Sequence, residues 1–215
     1  MDHLEKHIDY KSTNTYSTLN TLTDKTKNVW IVFHGIGYLS RYFLKYFDAL
    51  SSDENFVIAP QAPAKYYLTN EYRHVGASWL TKENTVLETQ NVIAYLDAIL
   101  HNEKIPPRCD LIIFGFSQGV SIATRWIAQR QLNCRQLILY AGGIPDEFEP
   151  SDFEFLKHNE TQVTAIIGNN DEYISENRKK TEFEKLQTLF QGNAKQIIFE
   201  GGHEVRKDII KQLVQ

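Results

Sequence analysis

From Asn28 onward the chain alternates short, continuous apolar runs with longer stretches in which apolar residues recur at helical spacing. Val29-Trp30-Ile31-Val32-Phe33 is branched and aromatic throughout and ends at His34-Gly35. A run of that kind, with no polar alternation, reads as a strand buried on both faces. Tyr42, Phe43, Tyr46, Phe47 and Leu50 then recur at helical spacing, and Phe56-Val57-Ile58-Ala59 is a second strand, stopped by Pro60. A loop rich in Pro, Tyr and Asn runs to about Glu83. Thr85 with Glu88 has capping-box spacing and opens a helix striped by Val92, Leu96 and Ile99, which Pro106-Pro107 ends. Leu111–Phe114 is a third strand, followed by a helix whose face is Val120, Ala123, Trp126 and Ile127. Gln136–Tyr140, Val163–Ile167 and Gln196–Phe199 are further strands; Phe183, Leu186 and Phe190, then Ile209, Ile210 and Leu213, mark two last helices. Strands alternating with helices predict βαβ units and a mostly parallel sheet covered on both faces. Residues 1–27, polar and rich in Thr, Ser and Tyr from Ile8 to Leu22, are expected to supply one or two edge strands.

A length of 215 residues fits one domain, 1–215, with a core of its own. The six Pro and eleven Gly fall mostly at element boundaries, and no repeat or low-complexity linker divides the chain. Apolar residues at 42% and charged residues at 23% argue against global disorder. The net charge of −4 and the scattered basic residues give a polyanion nothing to bind, so no nucleic-acid partner is expected. Arg178-Lys179-Lys180 reads as a solvated helix face. Cys109 and Cys134 show no C-x-x-C and no nearby His at metal spacing, so they read as free thiols in a reducing compartment. Met1 to His7 lacks a basic segment followed by an apolar run. The longest apolar runs are strand length, well short of a bilayer span. A cytoplasmic protein, monomer or homodimer, without stable membrane insertion is expected.

The strongest chemical signal is Gly115-Phe116-Ser117-Gln118-Gly119, a G-x-S-x-G set between a buried strand and a helix. A sharp strand-to-helix turn lifts the serine hydroxyl out of the sheet, and the flanking glycines keep the turn free of side-chain clashes. The helix N-terminus brings free N–H groups and a positive dipole end beside the nucleophile. A serine hydroxyl needs a base, and with this turn the acid and the histidine follow in that chain order. Asp171, in Gly168-Asn169-Asn170-Asp171-Glu172, sits after a strand, where sites of open α/β sheets lie. Glu172 and Asp146 are its rivals. His203, after Gly201-Gly202, is the histidine downstream of both Ser117 and Asp171. His34 precedes the serine and reads as a residue holding its own loop; His74 reads as a loop residue. The oxyanion donors are expected to be the Gln118 N–H and, from His34-Gly35-Ile36-Gly37, the Ile36 N–H.

Together these segments resemble the phospholipase/carboxylesterase family of α/β-hydrolases, which includes the acyl-protein thioesterases and small bacterial carboxylesterases. His34-Gly35-Ile36-Gly37 is similar to its H-G-aliphatic-G loop, and Gly115-Phe116-Ser117-Gln118-Gly119 to its G-F-S-Q-G elbow. Gly142-Gly143-Ile144-Pro145, Gly168-Asn169-Asn170-Asp171 and Gly202-His203 resemble its later loops, and Ala59-Pro60-Gln61-Ala62-Pro63 with Ser78-Trp79 an earlier stretch. The resemblance runs from about Val29 to about Val205. It implies an α/β-hydrolase fold. It implies a serine carboxylesterase or thioesterase working through an acyl-enzyme on Ser117 with Asp171 and His203, without metal or organic cofactor. The chain departs from the pattern at Tyr38, where the family usually carries Asp, and in a Tyr-rich stretch with Tyr66-Tyr67 and Tyr72-Arg73-His74.

The segment from Asp146 to Gln162 is too short for a cap domain, so an open site is expected, suited to a small-molecule or acyl ester. Tyr38, Tyr66, Tyr67 and Trp79 are candidate pocket residues; packing of the long loop 61–83 against the sheet uses the same residue types. The same triad would serve a peptidase or an acyltransferase, and an inactive binding scaffold would share the fold.

Overall fold

A computed structural model describes residues 3–214. Met1, Asp2 and Gln215, which the expected domain 1–215 includes, lie outside the described residues. The long apolar runs become the middle of a seven-stranded sheet: β2 (Asn28–Phe33), β3 (Asn55–Pro60), β6 (Asp110–Phe116), β7 (Gln136–Tyr140), β8 (Gln162–Gly168) and β9 (Ala194–Phe199). These six run parallel. β1 (Tyr16–Leu19) joins one edge antiparallel to β3, giving the order β1-β3-β2-β6-β7-β8-β9. Of the polar stretch Ile8 to Leu22, only these four residues form a strand.

The helices cover both faces. On one, Val92, Ile93, Leu96 and Ile99 of α2 (Thr85–Glu103), Val120, Ala123, Trp126 and Ile127 of α3 (Gln118–Arg130), and Leu186 and Leu189 of α5 (Glu176–Leu189) pack on Val29, Ile31, Phe33, Ile113 and Leu137. On the other, Phe43 of α1 (Ser40–Phe43), Phe47, and Ile209 and Ile210 of α6 (Lys207–Gln212) pack on Trp30, Val32, Phe114 and Ile138. Each Val, Leu, Ile or Phe side chain so moved out of water contributes about 1.5–3 kcal/mol. The result is the α/β-hydrolase arrangement without a large cap. The segment after β7 forms a 3-10 turn (Pro150–Phe153) and the short α4 (Glu154–His158). Phe153 there closes the core against Phe148 and Phe190.

Three local expectations are corrected. The stretch to Glu83 is not all loop: β4 (Ala64–Tyr67) and β5 (Val75–Ser78) pair antiparallel as a hairpin outside the main sheet. All four residues of β4 are exposed, so no buried face marks it. The helical spacing around Tyr42 to Leu50 yields only α1 and one 3-10 turn, Leu44–Tyr46. α2 begins at Thr85 but has no capping box: Asn84 takes a left-handed conformation without a side-chain cap, and the Thr85 hydroxyl donates to the Thr81 carbonyl at 2.9 Å.

Cys109 and Cys134 are free thiols; burial pushes Cys134 up to about 12. No helix of the described residues is long and apolar enough to cross a membrane.

Candidate active site

The chain runs from β2 outward to β3, then returns to the other side of β2 as β6. Strand order therefore reverses between β2 and β6, where open α/β sheets form crevices at their carboxyl ends. Phe33 pairs with Gly115 across this junction, so the loop after β2 and the turn after β6 emerge side by side. Phe116 pairs with Tyr140, Tyr140 with Ile166, and Gly168 with Phe199. Ser117, Asp171 and His203 thus leave three strands at the same end of the sheet.

Ser117 occupies the turn itself, at φ 53° and ψ −119°, a conformation that costs a non-glycine residue about 1–3 kcal/mol. Its N–H donates to the Tyr140 carbonyl at 2.8 Å, and its own carbonyl accepts from Val120 N–H at 3.0 Å. The glycine positions follow from close approach: a Cβ on Gly119 would lie 2.2 Å from the Phe33 carbonyl oxygen, and one on Gly115 2.6 Å from that of Gly119. α3 starts directly at Gln118, whose amide, in the first turn, has no intrahelical acceptor.

Asp171 and His203 meet: the Asp171 Oδ2 lies 2.8 Å from His203 Nδ1. The Asp171 side chain is completely buried and its other oxygen accepts the Tyr173 N–H at 2.9 Å. Their loops are tied together by Asn169, whose N–H donates to the Phe199 carbonyl and whose Oδ1 accepts the Gly201 N–H, and by an Asn170 N–H to Gly201 carbonyl bond. Two rings flank the imidazole: Phe116 at 5.0 Å between centroids and Tyr173 at 4.8 Å. No hydrogen bond joins Ser117 to His203 here; such contacts are often long until substrate binds.

The rival acids are engaged elsewhere. Asp146 pairs with Lys185, which lowers its carboxyl pKa. Glu172 accepts the His203 backbone N–H at 3.2 Å, and bonds from its own amide and that of His203 hold its carboxyl below the usual range.

His34 is fully buried, and desolvation lowers it to about 4. It is therefore neutral, with Nδ1 donating to the Gly35 carbonyl at 2.8 Å and Nε2 accepting the Ala62 N–H at 3.2 Å. It pins the turn that carries Ile36. Within that turn the Gly37 N–H donates to Ala77 and the Tyr38 N–H to Gly35, and the Ile36 N–H has no acceptor among the described residues.

The expected pocket residues divide. Tyr38 is half-buried against Phe43 and Phe116; its hydroxyl lies 3.2 Å from that of Tyr46, and burial pushes it up to about 12. The Tyr66 hydroxyl stands 3.8 Å from where a Cβ on Gly37 would be, beside the Ile36 turn. Tyr67 points the other way, as strand alternation requires, and packs edge-on against Tyr72 at 5.1 Å. Trp79 is buried against Phe33 and His34, because β5 carries it under the His34 turn. Phe116 and Tyr173, the rings on the imidazole, were not singled out in the sequence; an aromatic two residues beyond the candidate acid was the available signal. The Gln118 side chain was also missed. Its Oε1 accepts the Trp79 N–H at 2.9 Å and its Nε2 donates to the Leu80 carbonyl at 2.7 Å, fastening the elbow to the end of the hairpin. Among the described residues no group of three or more His, Cys, Asp or Glu is placed to hold a metal ion.

Residues 14–215 match the family described as Phospholipase/Carboxylesterase. No curated protein matches the sequence. Acyl-protein thioesterase 2 of Zea mays shares the fold over 94% of this chain and 98% of that one, with a TM-score of 0.69 and 13% identity. A phospholipase/carboxylesterase from Dyadobacter fermentans matches over 95% and 96%, at TM-score 0.63 and 20% identity. The Bacillus cereus carboxylesterase matches over 93% and 91%, at 0.64 and 17%.

Proposed function

The chain belongs to the phospholipase/carboxylesterase family, and from that membership we propose that it is a serine hydrolase cleaving carboxylic esters or thioesters through an acyl-enzyme on Ser117. The observation that carries this reading is the 2.8 Å contact between buried Asp171 and His203, at the sheet end where Ser117 sits in a strained elbow. In the proposed cycle His203 Nε2 takes the proton from the Ser117 hydroxyl, while Asp171 holds Nδ1–H and stabilises the imidazolium. The Ser117 oxygen attacks the carbonyl carbon, and the Ile36 and Gln118 amides hold the resulting oxyanion, each worth ~3 kcal/mol in the transition state. The tetrahedral species collapses, His203 protonates the departing alcohol or thiol, and water, activated by the same histidine, releases the acid. Tyr38 and Tyr66 border the substrate.

The test is hydrolysis of p-nitrophenyl esters from acetate to palmitate, with a thioester alongside, for the wild type and Ser117→Ala. Turnover that disappears in Ser117→Ala, with fluorophosphonate labelling lost at the same residue, is the expected result. A folded wild type that turns over none of these substrates and resists labelling sinks the proposal and leaves a binding scaffold. Amide substrates and competing alcohol acceptors distinguish a peptidase or acyltransferase.

A further inference from the structure

The two amides assigned to the oxyanion come from different parts of the chain, Ile36 after β2 and Gln118 after β6. Their spacing has to be held to a fraction of an ångström for both to reach one oxygen. At the base of each lies the β4–β5 hairpin. On the Ile36 side, Gly37 N–H donates to the Ala77 carbonyl of β5 at 2.9 Å. Gly76 lies against the same loop with no side chain between: a Cβ there would stand 2.6 Å from the Gly37 carbonyl oxygen and 2.7 Å from its Cα. Leu68, just beyond β4, closes over both; its Cδ2 is 3.6 Å from a Cβ position on Gly37 and 2.6 Å from one on Gly76. Gly37 has φ +83°, so its carbonyl direction depends on a left-handed backbone that has little intrinsic hold. On the Gln118 side, the end of β5 and the residues directly after it are fixed by the Gln118 amide group through the Ser78 hydroxyl, the Trp79 N–H and the Leu80 carbonyl.

The contacts close a ring: Gln118 to Ser78–Leu80, along β5 to Gly76 and Ala77, across to Gly37 and Ile36. A two-stranded hairpin is marginal alone, and this one is held at both places by the loops it joins. We infer that the β4–β5 hairpin is the spacer that sets the distance between the two oxyanion amides, with Gly76 and Leu68 as its positioning residues. The inference rests on the proposed serine-hydrolase reading.

Gly76→Ala tests it, because the added methyl meets the Gly37 backbone as well as the Leu68 side chain, and the backbone, unlike the side chain, cannot simply swing aside. Displacing one donor is expected to lower kcat by about 10- to 100-fold, less than outright loss of a donor. KM stays near the wild-type value, because the ester ground state does not depend on the oxyanion contacts. A trifluoromethyl ketone, whose serine adduct carries the oxyanion, should lose affinity by the same factor as kcat. Leu68→Ala, at a half-exposed side chain outside the core, should lose both by a smaller factor; it decides the matter where Gly76→Ala fails to fold. The inference is overturned if both folded variants keep wild-type kcat and inhibitor affinity, or if KM rises while kcat and inhibitor affinity hold. A wild type that hydrolyses no ester and takes no fluorophosphonate overturns the serine-hydrolase reading and this inference together. An active, labelled wild type with indifferent variants overturns the spacer alone.

Discussion

The Trp79 indole N–H donates to the carbonyl oxygen of His34 at 2.8 Å, deep in the core. The bond links the segment after the hairpin to the turn that carries Ile36, and it makes Trp79 a support of the candidate site, away from its surface.

Trp79→Phe keeps an aromatic ring against Phe33 but leaves a buried carbonyl without its donor. An unpaired buried acceptor costs about 1–3 kcal/mol, so the urea midpoint should fall by the corresponding amount. Esterase turnover should drop with the loosened turn, and the preference among acyl lengths should stay put. A shifted chain-length preference would return Trp79 to the pocket wall.

His34 gives a pH dependence of known sign. Desolvation lowers it from 6.5 to about 4. Between those values the unfolded chain binds a proton that the folded chain refuses. Stability is therefore full above about pH 6.5 and is lost as pH falls toward 4, by about 3 kcal/mol for this group alone. Urea unfolding at pH 7, 5.5 and 4 should show that slope in the wild type and a shallower one in His34→Gln, whatever the variant's overall stability. Equal slopes would mean that His34 does not carry the effect.

The strands were legible because parallel strands covered on both faces are apolar at every position, as in Val29–Phe33 and Ile112–Phe114. β4 and β5 were not: β4 buries nothing, and what holds the hairpin is a backbone bond from Gly37 and the Gln118 side chain, contacts distant in sequence. The same logic separates the parts of the site. The Ser117 turn was legible from local turn chemistry, and the Asp171–His203 contact from chain order after strands. The sequence could not place the Trp79 and Tyr67 rings, because aromatic content in a loop says nothing about which face each ring takes; that depends on the β4–β5 register, with Tyr66 opposite Gly76. Thr85 and Glu88 have capping-box spacing, yet the left-handed Asn84 withdraws the geometry the box needs.

The acid can be identified by comparison of three carboxylates. Asp171→Asn keeps the size and burial of the side chain but removes the charge that holds the imidazole. A fall in kcat of roughly 10³–10⁴-fold is expected, with the folded state retained. Asp146→Asn loses only an exposed pair with Lys185, and Glu172→Gln retains an acceptor for the His203 amide; both should keep kcat within a small factor. A large loss in either, with Asp171→Asn active, would move the assignment to that residue.

The hairpin divides its aromatics between two faces, and the proposed substrate meets one of them. Tyr66 stands beside Gly37, whereas Tyr67 pairs with Tyr72. Tyr66→Ala removes apolar surface next to the Ile36 turn, so KM for the longer acyl esters should rise by about 5- to 30-fold, the equivalent of ~1–2 kcal/mol of lost contact, at unchanged kcat. Tyr67→Ala should leave KM alone and show only in unfolding, where the lost ring pair is worth about 0.5–1.5 kcal/mol. Steady-state kinetics over the ester series, run on both variants, separates the faces. Matching rises in KM from the two substitutions would put substrate contacts on both sides of the hairpin, which the alternation of a single strand against the Ile36 turn does not accommodate.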